Sequence, residues 1–114
     1  MIKIEIQRQK NKIIYFEIKG HANFSEYGED VICAAVSSVG QMTVNGLIET
    51  LKLKKKLKFI EKDGHIVCDL KNSGLTDEEL EKSDILVESM YSYLKAVARS
   101  YSEFVKLEEK IENK

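Results

Sequence analysis

Residues 20–38, GHANFSEYGEDVICAAVSS, hold the side chains best able to do chemistry. His21 can take or give a proton near neutral pH, and Cys33 can act as a nucleophile once it is a thiolate. Asp30 is the expected N-cap of a helix, its carboxylate accepting from unpaired N–H groups of the first turn. That cap would put Cys33 at the third helical position, near about half a positive charge that favours the thiolate. A strand-end imidazole and a helix-start thiol can converge across a short loop. The imidazole then takes the thiol proton and later gives it to a leaving amine. Ser37, four residues after Cys33, shares its helical face and could touch substrate or the thiol. Each residue also has a plainer reading. Cys33 could be a small buried hydrophobe, His21 a hydrogen-bonding hairpin end, Asp30 a cap alone and Ser37 a surface serine.

Other chemistries fare worse. His21, Cys33, His65 and Cys68 make four potential zinc ligands, but His65 and Cys68 are three apart on a predicted strand and point to opposite faces. Cys68 is expected in the core and His65 in solvent. No C-x-x-C suggests a dithiol enzyme, and neither Ser37 nor Ser38 sits in a G-x-S-x-G turn. Phosphate-binding and dinucleotide glycine patterns are absent as well. No metal or cofactor is expected.

These residues need elements to position them. Ile2, Ile4 and Ile6 alternate with polar residues, and after a turn at 8–12 a β-branched and aromatic run resumes over 13–19, so the two form an antiparallel hairpin. Gly20 ends it, with His21 at the exit. Residues 22–29 read as a loop, with turn formers Asn23, Ser25 and Gly28 and the aromatics Phe24 and Tyr27. From Val31 the spacing turns helical, with Ile32, Ala35, Val36, Val39, Met42 and Leu47 as the apolar stripe. Gly40 and Gly46 weaken this helix or let it approach the sheet closely. Asp63-Gly64 between two β-like runs predicts a hairpin with a type I′ turn. Thr76-Asp77-Glu78-Glu79 is a capping box. The helix it opens carries Leu80, Val87, Met90, Tyr91, Leu94, Val97, Ala98 and Tyr101 on one stripe. Phe104, Val105 and Leu107 favour a short closing strand over a last helical turn, and the terminal EEKIENK is expected to fray. The whole is an α/β (α+β) single domain over residues 1–114, a ββαββα sandwich on a small, mostly antiparallel sheet.

Composition sets the outer limits. A chain of 114 residues has room for one core, and a net charge of −1 exerts no global pull toward nucleic acid or anionic lipid. The apolar runs look too short to span a bilayer, and MIKIEIQRQK alternates where a signal peptide would be solidly apolar. A cytoplasmic protein without a membrane partner is expected, and its two cysteines make no disulfide framework there. The run at 52–58 carries five lysines around two leucines. It reads as a solvated helix end entering a strand, with contact to RNA or an acidic partner as the rival.

Gly20-His21-Ala22, followed by Gly28-Glu29-Asp30-Val31-Ile32-Cys33-Ala34-Ala35-Val36-Ser37, resembles the signature of the ribosomal-processing cysteine protease (Prp) family. The flanking hairpins and the long C-terminal helix match as well, so the resemblance covers most of the chain. It implies a homodimeric cysteine endopeptidase that removes the N-terminal extension of a large-subunit ribosomal protein, with nucleic acid not required. By motif position Cys33 would be the nucleophile and His21 the base, with Asp30 and Ser37 as neighbours. Residues 22–29 would be a loop that moves on substrate binding, with Phe24 and Tyr27 able to line an apolar subsite. The N–H groups that start the helix, including that of Cys33, would hold the oxyanion. The competing reading is a non-enzymatic ribosome-assembly factor that binds rRNA or ribosomal protein through the 52–58 run.

Overall fold

The computed structural model describes residues 1–20 and 29–112. Strands β1 (Ile2–Gln9) and β2 (Lys12–Lys19) precede helix α1 (Glu29–Asn45), which continues as one π-helical turn (Gly46–Thr50). Then come β3 (Lys58–Lys62), β4 (His65–Asp69), α2 (Asp77–Ser100) and β5 (Val105–Glu112). The sheet order is β3-β4-β2-β1-β5, antiparallel throughout except for the parallel β1–β5 pair. Ile2, Ile4, Ile6, Phe16, Ile18, Ile66 and Cys68 share one core with Ile32, Val36, Val44 and Leu47 of the α1 segment and Val87, Met90 and Leu94 of α2. Strand alternation sends Lys3, Glu5, Glu17, Lys19 and Val67 the other way. Both helices therefore cover a single face, and the expected ββαββα sandwich has two layers with a fifth strand.

That fifth strand is longer than expected. β5 pairs with the whole of β1, from Ile2 with Val105 to Gln9 with Glu112, so residues 108–112 of the supposed fraying tail are strand. Side chains hold it there: Lys71 Nζ lies 2.9 Å from Glu112, and Arg8 bonds both Glu109 and Glu88 of α2.

The type I′ turn expected of the second hairpin is found at the first, for which no turn type was expected. Lys10 and Asn11 both have positive φ, 53° and 67°, as a type I′ turn requires. At Asp63-Gly64 only Gly64 does, at 71°, so that hairpin forms without the expected type I′ turn. Its Gly64 carbonyl accepts from Gly20 N at 3.1 Å, tying the second hairpin to the end of the first.

Helix α1 begins at Glu29, earlier than the expected Asp30 cap, which makes Asp30 its second residue and Cys33 its fifth. Met42 departs from the predicted stripe and is 70% exposed, while Thr43 and Val44 are buried. Ten residues on from Ile32, at 100° per residue, Met42 sits on the flank of the helix. A Cβ on Gly40 would meet Ile18 and Ile66 at 2.8 and 3.0 Å, so α1 does press on the sheet there. Gly46 instead faces Leu86 of α2. The segment Val31–Thr50, at mean hydropathy 1.5, is long and apolar enough to cross a membrane, contrary to the sequence expectation. In this fold it is a core helix, with Ile32, Val36, Val44 and Leu47 buried.

The capping box forms as predicted, with Glu79 N donating to Thr76 Oγ1 at 3.1 Å and Thr76 N to Glu79 Oε1 at 2.9 Å. Tyr101 leaves the α2 stripe to become an exposed C-cap. In the 52–58 run Leu53 and Leu57 are buried, Lys52 turns the chain with φ of 57° and Lys56 pairs with Glu79. The lysines thus solvate a turn whose leucines anchor it.

Candidate active site

Where β2 ends, Gly20 takes φ of 91°, and a Cβ there would sit 2.5 Å from the Met1 carbonyl oxygen. Only glycine fits both demands. Gly20 opens onto a groove of about 590 Å3 whose floor is Ile2, Ile18 and Ile66. One wall is the start of α1, with Cys33, Ala34, Ser37 and Gln41. The other is the β3–β4 hairpin end, residues 61–65. Cys33 is neither sealed in the core nor fully exposed. Ser37 stands one turn further along the same wall, as its spacing predicted.

Of the sequence-predicted residues, the structure brings together Gly20, Cys33 and Ser37. Asp30 is placed by its backbone in the first turn of α1. His21, Ala22, Phe24, Tyr27 and Gly28 lie outside the described residues. Gln41, Glu61 and Asp63 were not anticipated as groove residues. Gln41 carried a weak signal, a polar residue two turns beyond Cys33 on a mostly apolar helix. The hairpin residues carried none, because the β2–β4 pairing that delivers them is non-local.

The position of Cys33 alters the electrostatic reasoning. The field of a helix end fades within the first turn, and a fifth residue stands at its limit, so the helix favours the thiolate less than at the expected third position. In a helix that starts at Glu29, the amide of Cys33 belongs to the i→i−4 ladder.

The remaining thiol and histidine are otherwise engaged. Cys68 is fully buried between Phe16 and Phe59 on neighbouring strands, and burial, with help from Asp69, pushes its thiol up to about 12. His65 borders the groove but is half-exposed, and its Nε2 lies 2.6 Å from Glu17 Oε2. Burial opposes the charge on Glu17, yet hydrogen bonds from His65 and Tyr15 outweigh it and hold the carboxyl below its usual range. His65 and Cys68 face opposite ways on β4, as predicted. No group of three or more His, Cys, Asp or Glu among the described residues could hold a metal ion.

A part-exposed thiol one turn into a helix, lining an open groove on an α+β sandwich, fits the class of cysteine hydrolases. Comparison with known proteins narrows this. The profile of the family described as cysteine protease Prp matches residues 1–106. The ribosomal processing cysteine protease Prp of Bacillus subtilis (strain 168) is 35% identical over 104 residues, covering 90% of this chain and 92% of its own. A crystal structure from Streptococcus mutans is 32% identical, with a TM-score of 0.78 and coverage of 98% of this chain and 96% of that one. The essential ribosomal processing protease Prp from S. aureus, in complex with a covalently linked product peptide, is 26% identical, with a TM-score of 0.73 over 96% of this chain and all of that one. The chain belongs to the cysteine protease Prp family, and it is a cysteine protease.

Proposed function

We propose that Cys33 and His21 form the catalytic dyad of an endopeptidase that removes the N-terminal extension of a large-subunit ribosomal protein during ribosome maturation. The observation that carries this reading is the groove shared by Gly20 and Cys33. The chain leaves β2 beside the thiol, and the first residue after Gly20 is His21. Relatives named as ribosomal processing proteases support the substrate class.

In the proposed reaction His21 takes the Cys33 proton and the thiolate adds to the scissile carbonyl. N–H groups at the very start of α1 hold the oxyanion. Collapse expels the amine, protonated by His21, and water attacks the thioester with His21 as base. The weaker helix field at Cys33 leaves the imidazole more of the activation. Asp30 and Ser37 act beside the dyad, and residues 22–29 with Phe24 and Tyr27 admit the chain to be cut. The enzyme works in the cytoplasm as a homodimer. The rRNA-binding alternative loses ground because the 52–58 run is anchored by buried leucines.

Incubating the protein with the extended ribosomal protein tests the reading. Wild type should release the extension and Cys33→Ser should not. Intact substrate at high wild-type concentration rules the assignment out. Light scattering on the purified protein should give twice the chain mass.

A further inference from the structure

The groove at Cys33 does not end at Gln41. A second groove of about 410 Å3 continues along the flank of α1, lined by Ser38, Met42, Asn45 and Ile48, and it shares both Gln41 and Glu61 with the first. Its far border is Glu61 of β3, which among the described residues is an edge strand paired with β4 alone. The hairpin register pairs Lys62 with His65 across a two-residue turn, so alternation turns the backbone N–H and C=O of Phe59 and Glu61 toward the open edge. Glu61 is exposed and has no ion-pair partner among the described residues. An edge left open among the described residues, a flank carrying the exposed Met42, and an uncommitted carboxylate at the junction suit an extended peptide with a basic side chain.

We infer that one flank of the substrate peptide runs in extended form from Cys33 along α1 and β3, and that Glu61 selects a lysine or arginine within it. This rests on the protease reading above. Cys33 and Gln41 are eight residues apart on a helix, roughly 12 Å. An extended chain advances roughly 3.3 Å per residue. The selected side chain therefore lies about four residues from the scissile bond.

The test uses synthetic peptides that span the organism's own cleavage junction, with each lysine or arginine near the cut changed singly to glutamate. With wild type, one such change about four residues from the cut should lower kcat/KM about fivefold, the scale of an exposed ion pair, and act through KM. Glu61→Lys should lose about fivefold on the native peptide and recover it on the glutamate peptide at that position, and Glu61→Gln should be indifferent to that charge. Glu61 is exposed on an edge strand, so equal Tm values for the three proteins separate recognition from folding. Cleavage that needs Cys33 but ignores both Glu61 and peptide charge overturns the inference and leaves the protease reading standing. No cleavage by wild type overturns both.

Discussion

Cys33 and Cys68 are one functional group in opposite settings, and the contrast can be measured. Cys68 is fully buried, its thiol raised to about 12, so a negligible fraction is thiolate at neutral pH. Cys33 lines an open groove. Iodoacetamide at pH 7.5 should label Cys33 alone in the native protein, and peptide mapping should find Cys68 modified only after denaturation. Native labelling of both at similar rates would contradict the burial of Cys68. Gly20 is the other telling residue. Alanine there must bear a left-handed backbone and a 2.5 Å clash with the Met1 carbonyl, which costs roughly 2 kcal/mol or more. Gly20→Ala should lower Tm by several degrees and, since the strain falls next to His21, lower kcat as well. Unchanged Tm would mean that both the Met1 carbonyl and the backbone at residue 20 relax, against the left-handed φ and close contact seen there. At this scale Cys33, Ser37 and Gly20 were legible from type and spacing, because a single helix or strand end presents them. Glu61 and Asp63 were not, because a pairing between distant strands delivers them.

Between elements, Arg8 is the clamp that joins β1, β5 and α2. Its guanidinium forks onto Glu88, with Nη2 at 2.8 Å from Oε1, bonds Glu109 and lies 4.9 Å from the centre of the Tyr91 ring. Its side chain is only 16% exposed, so the clamp is screened less than a surface pair but is short of full burial. Arg8→Ala should cost about 2 kcal/mol and lower Tm by roughly 8 °C, with faster amide exchange in β5 than in β2. Equal acceleration in both strands would argue against a local clamp. The same region shows why parts of the fold escaped the sequence. The capping box was readable because Thr76 and Glu79 are three residues apart and satisfy each other. β5 was harder to extend because its partner β1 lies at the other end of the chain, and EEKIENK has almost no apolar content to mark it. The type I′ turn is missing at Asp63-Gly64 because Asp-Gly is a statistical preference. The observed turn also answers to a bond from Gly20.

For the whole molecule, the carboxylates set how folding responds to acid. Glu109 titrates below its ordinary range, chiefly through the hydrogen bond from Tyr91, with burial opposing and Arg8 assisting. Glu17 is lowered too, by His65 and Tyr15 against its own burial. Asp84 goes the other way: burial raises it, although Ile13 N donates to it at 2.9 Å. A depressed carboxyl contributes stability that is complete above its unfolded value, about 4.3 for glutamate. That contribution is lost as pH falls through the lower folded value. The raised Asp84 has the opposite sign, favouring the fold as it takes up its proton. With the part-exposed Glu79, lowered chiefly by its hydrogen bond from Lys56, three depressed carboxyls stand against one raised, so Tm should fall between pH 6 and pH 3. Glu109→Gln should start lower at pH 6 and lose less on acidification. Asp84→Asn keeps an acceptor for Ile13 N, so it should match or exceed wild type at pH 7 and lose that advantage in acid. A wild-type Tm that holds or rises toward pH 3 would show that the β1–β5–α2 ion pairs are not what ties this sheet to its helices.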